Sequence, residues 1–155
     1  MKHFKLFFAA VMAICMTACD GCNKKEGELD GYQKCGIAEF KNALDKEVNP
    51  QILDYRSAED FAKGHIKGAI NIDATSTGTA ASWSSDNGPY MQQLTSIFST
   101  SKKIFIYGKS GWNPTGMSLP GRVANTWGKD NTLNLESGYK EEELIAAGYQ
   151  IEKGN

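Results

Sequence analysis

Four short apolar runs, QILDY, AINI, KIFIY and TLNLE, are separated by stretches whose apolar residues recur at helical spacing. This alternation constrains the fold more than any other feature of the chain. Strands this short, joined by helix-length connections, pair in parallel, and a parallel sheet is covered by helices on both faces. KIFIY is the strongest strand, since every residue after Lys103 is apolar or aromatic, as expected for a strand buried in the middle of a sheet. It runs into Gly108, Lys109, Ser110, Gly111, Trp112 and Asn113, the way a buried strand runs into a ligand-binding loop.

The connecting segments fit helices. IAEFKNALDKEV places Ile37, Phe40, Ala43, Leu44 and Val48 on one helical face. Ser57 caps the next helix, with Asp60 three residues on as a short version of the capping-box acid. YMQQLTSIF turns Met91, Leu94, Ile97 and Phe98 inward, a helix is expected over residues 119–127, and a last one over 141–147. Residues 73–89 are rich in Ser, Thr, Gly and Ala and read as a long surface loop. Pro120 and Gly121 discourage a helix directly after Gly108, so residues 108–117 are expected to form a loose loop, with Ser118 as N-cap and Pro120 in the first turn.

The N-terminus reads as an address. MKHFKLFFAAVMAICMTAC opens with Lys2 and Lys5 and continues in an apolar run of about a dozen residues, against the roughly 20 that span a bilayer, so residues 1–18 are expected to be an export signal. Met16-Thr17-Ala18-Cys19 resembles the lipobox of bacterial lipoproteins, which implies that Cys19 carries diacylglycerol. That would hold the chain on the lipid bilayer of the bacterial cell envelope, facing the periplasm or the exterior. An ordinary secretory signal cut near Ala18 is the alternative. Residues 19–35 are polar and expected to be a disordered tether, and residues 36–152 are expected to be one folded domain.

Charge and residue counts exclude several functions. A formal net charge of -1 with no basic run leaves no footprint for nucleic acid. Loss of the signal removes His3, so His65 is the remaining histidine, a multi-histidine metal site is ruled out, and neither metal nor cofactor is expected. Of the four cysteines, Cys15 leaves with the signal and Cys19 would carry lipid. Cys22 and Cys35 remain, either bridged, as an oxidising compartment permits, or as two free thiols.

ILDYRSAEDFAKGHIKGAINI resembles the N-terminal signature of rhodanese-like domains, with Asp54, Arg56, Glu59, Phe61, Gly64, His65, Ile66, Gly68, Ala69 and Asn71 in register. NLESGY and AAGYQIE resemble later parts of the same family, so the likeness covers residues 36–152. It implies a rhodanese-like α/β fold, a five-stranded, mostly parallel sheet flanked by helices on both faces. It also implies that Asp54 and Arg56 hold the loops at the sheet's C-terminal edge, and that His65 and Gly68 belong to a structural turn.

In active members the strand matching IFIY is followed by a cysteine that accepts sulfur as a persulfide. Here Gly108 stands at that position, and glycine offers no nucleophile. Ser110 is a weak substitute without a base. The loop backbone still presents N–H groups to an anion, with Lys109 at its rim, so the expected role is non-catalytic binding of a small oxyanion or an envelope protein. Trp112 is either an exposed recognition surface or an aromatic folded over the pocket. A cysteine placed at 108 is expected to find a cradle that lowers its pKa. The competing expectation is an envelope sulfurtransferase using Cys35 or a partner's thiol, and a phosphatase or arsenate reductase ranks last because it needs the same missing cysteine.

Overall fold

Successive side chains of a strand point to opposite faces, so the apolar runs can bury residues on both sides of a sheet. The computed structural model describes residues 31–75, 88–109 and 118–154. Its strands are β1 (Gln33–Cys35), β2 (Gln51–Asp54), β3 (His65–Ile66), β4 (Ile70–Asn71), β5 (Ile104–Tyr107), β6 (Thr132–Leu135) and β7 (Ile151–Glu152). Five of them form one sheet in the order β1-β6-β5-β2-β4, with every neighbouring pair parallel. The other two, β3 and β7, pair antiparallel as a small ribbon.

The helices are α1 (Ile37–Asp45), α2 (Ala58–Lys63), α3 (Pro89–Ile97), α4 (Leu119–Trp127) and α5 (Glu141–Ala146). Because β5 lies in the middle of the sheet, successive residues alternate between two cores. Ile104 and Ile106 join Leu53, Met91, Leu94, Val123 and Trp127 under α3 and α4. Phe105 and Tyr107 join Ile52, Phe40, Leu44, Leu133 and Leu144 under α1 and α5. Phe40 meets Phe105 edge to face at 5.3 Å, which seats α1 on the central strand. Burial on both faces is why IFIY carries no polar residue.

Local signals set the helix ends. Ser57 accepts from Asp60 N–H at 3.2 Å, and Ser118 accepts from Gly121 N–H at 3.2 Å with Pro120 in the first turn. The α4 helix ends on Gly128 at φ +83, a left-handed conformation suited to glycine. No helix among the described residues is long and apolar enough to cross a membrane.

Three expectations need correction. Gln33–Cys35, assigned to the tether at 19–35, is strand β1, paired in register with Leu133, Asn134 and Leu135 of β6. Periodicity missed it because only Cys35 of the three is buried, and the strand exists through its ladder rather than an apolar face. Val48 is 84% exposed, because α1 stops at Asp45 and the chain turns through Asn49 at φ +56 to reach Pro50. Ile97 is 44% exposed, because the extended backbone at Phe98 carries that ring inward in its place.

Candidate functional site at the end of β5

All five strands of the main sheet run the same way, so the residues just after β2, β4, β5 and β6 meet at one edge. Backbone bonds continue the ladder past the strand ends. Tyr55 N–H donates to Tyr107 O at 3.1 Å, Ala74 N–H to Tyr55 O at 3.1 Å, and Tyr139 N–H to Gly108 O at 2.9 Å. Gly108 is buried at the centre of this edge and Lys109 is exposed beside it. Ser110, Gly111, Trp112 and Asn113, together with the rest of the loop to residue 117, lie outside the described residues.

Asp54 and Arg56 form the best-defined part of the edge. Arg56 Nη2 donates to Asp54 Oδ2 at 2.6 Å, Nε to both carboxylate oxygens at 3.0 Å, and Arg56 N–H to Oδ1 at 2.9 Å. A further bond runs from Nη2 to Gly64 O at 2.7 Å, while the guanidinium lies 3.7 Å from the Tyr139 ring centroid and 5.6 Å from that of Tyr107. Asp54 is fully buried and Arg56 nearly so. Burial opposes the charge on Arg56, but the bonds and field of the Asp54 carboxylate outweigh it and raise the guanidinium pKa above its ordinary value. Asn71 Nδ2 donates to the carbonyls of Asp54 and Arg56 at 3.0 and 2.9 Å, which ties β4 to the same corner.

His65 belongs to the ribbon. Its Nδ1 lies 3.0 Å from Phe61 O, a pure acceptor, so Nδ1 carries the proton, and the ring stacks on Phe61 at 3.7 Å. Ile66 N–H donates to the Tyr107 hydroxyl at 3.0 Å, fastening the His-Ile turn to β5. Gly68 sits at φ +80, which a side chain rarely adopts. Glu59 lies on the surface of α2 and pairs with Lys63 at 2.8 Å, a contact of little energetic weight.

Cys35 is fully buried and disulfide-bonded, its partner lying outside the described residues, as Cys19 and Cys22 do. It ends β1, with β6 between it and β5, so it stands two strands from Gly108, roughly 10 Å at the usual strand spacing. Sulfur transfer at the end of β5 has no thiol in Cys35.

Reasoning from the sequence alone missed Tyr55. The register that sets Asp54 opposite Tyr107 sets Tyr55 opposite Gly108, and both then face the α3 and α4 side with Leu53 and Ile106. A Cβ built on Gly108 would stand 2.6 Å from Tyr55 Cδ2 and closer still to Cε2 and Cζ. The expectation that a cysteine at 108 enters an open cradle is therefore corrected: an aromatic ring occupies the space. The available signal was a bulky residue between the paired acid and arginine, together with a glycine directly after KIFIY. A shallow groove of about 440 Å³, lined by residues that include Lys46, Asn49, Lys102 and Lys103, lies by the N-terminal ends of β2 and β5, away from this edge.

This is an α/β domain whose candidate site lies beyond the C-terminal ends of parallel strands, at the residues that directly follow the central one. The model of the rhodanese-like domain matches residues 37–142, and the chain belongs to that family. It is 39% identical over 97 residues to thiosulfate sulfurtransferase 16, chloroplastic, of Arabidopsis thaliana, covering 63% of this chain and 68% of the plant protein. The rhodanese-like domain of the Alr3790 protein from Anabaena sp. superposes with a TM-score of 0.51 at 19% identity, covering 77% of this chain and 78% of that one. An uncharacterized protein from Saccharomyces cerevisiae superposes with a TM-score of 0.50 at 17% identity, covering 76% and 93%. At such identities the superpositions speak for the fold alone.

Proposed function

We propose that this chain is an exported, lipid-anchored rhodanese-like domain that works without sulfur transfer, as a binding module of the bacterial cell envelope for a small oxyanion or a protein partner. The observation that carries the reading is Gly108 at the end of β5, in the position of the family's persulfide-forming cysteine, with Tyr55 where a side chain would project. The buried, disulfide-bonded Cys35 supplies no replacement. Export and anchoring rest on the apolar run of residues 6–18 and on the lipobox-like Met16-Thr17-Ala18-Cys19.

Cyanide-dependent thiosulfate consumption by the purified full chain tests the catalytic half. No turnover above the uncatalysed rate is expected, and steady turnover overturns it. Cys19→Ser tests the anchor, since the variant should leave the membrane fraction while the wild type stays in it. Sulfur transfer is the second reading, favoured by the likeness to a thiosulfate sulfurtransferase, and it requires a thiol other than Cys35, such as one brought by another molecule.

A further inference from the structure

Gly108 is not required by its own backbone. Gly68, Gly128 and Gly148 have φ of +80, +83 and +84 and meet nothing where a Cβ would stand, whereas the φ of Gly108 lies outside that left-handed range. A side chain at 108 meets the Tyr55 ring, and that residue is 6% exposed and packed in one core cluster with Leu53, Ile72, Tyr90 and Leu119, which leaves the ring little room to give way.

We infer that Tyr55 and Gly108 act as one exchanged pair, in which the tyrosine ring takes the volume of the family's reactive side chain and shuts this position against a small sulfur donor such as thiosulfate. The inference rests on the reading of Gly108 as the nucleophile's position, and it adds that restoring a thiol there does not reopen the site while Tyr55 remains. The phenol is no substitute nucleophile: neutral at pH 7 even at its ordinary value of 10.0, it is pushed up to about 12, chiefly by burial.

A double-substitution cycle on the full chain tests the pair. Gly108→Ala should lower the melting temperature by roughly 4 °C or more in the wild-type background, since overpacking a tight core is destabilising. In the Tyr55→Val background the same change should cost little, and failure of the single variant to fold while the double variant folds is the same coupling in stronger form. Equal losses in the two backgrounds, or no loss in either, overturn the inference.

Thiol access gives a second measurement. With the reactivity of the native cysteines subtracted, Gly108→Cys together with Tyr55→Val should react with an aromatic disulfide reagent about tenfold faster than Gly108→Cys alone. Equal rates overturn the closure. Turnover of thiosulfate by the wild type would sink the non-catalytic reading and leave the melting cycle as it stands, so the two failures are distinguishable.

Discussion

Asp54 shows how one carboxylate organises a corner: it accepts from the Arg56 side chain and main chain, and Arg56 reaches on to Gly64 and the face of Tyr139. Asp54→Ala leaves a buried guanidinium without its partner and should cost about 3–5 kcal/mol in urea unfolding, more than a surface pair such as Glu59 with Lys63 could. The tyrosines around this corner predict an alkaline limit. Burial is the main cause that pushes the phenols of Tyr55 and Tyr139 from 10.0 to about 12, so the folded state keeps protons that the unfolded chain releases. Their contribution to stability is complete below pH 10 and is lost as pH rises toward 12. The urea midpoint of the wild type should therefore fall between pH 9 and pH 11.5, and Tyr55→Phe should reduce part of that fall.

Among the elements, α4 depends on its cap, because it carries Pro120 and Gly121 in its first turn. Ser118→Ala removes the acceptor for Gly121 N–H and should cost about 1 kcal/mol, read as a lower urea midpoint at unchanged slope. The α1 helix is held by packing more than by its ends, since Gly36 supplies no side-chain cap and Phe40 is fully buried against Phe105. Phe40→Ala should cost about 3–5 kcal/mol by the same measurement. Helix ends were legible in the sequence at Ser57 and Ser118, where the capping chemistry is local. They were not legible at Val48 and Ile97, where helical spacing continues beyond the point at which the chain turns.

At the scale of the molecule the sheet begins earlier than its apolar pattern suggests. A fragment starting at Gly36 loses β1, bares the edge of β6 and removes the bond from Glu136 N–H to Cys35 O, so its melting temperature should fall clearly below that of a fragment starting at Gly31. The sequence by itself determined the α/β class, the central strand, the family and the glycine directly after that strand, because each is written in residues that lie close together in the chain. Only the tertiary structure decided that Gln33–Cys35 is an edge strand and that Tyr55 fills the space beside Gly108. Both depend on which strands become neighbours and in what register, a matter settled by long-range pairing of β1 with β6 and of β2 with β5. No local spacing carries that information, since Tyr55 and Gly108 meet only when Asp54 is set opposite Tyr107 and the next residues of both strands turn to the same face.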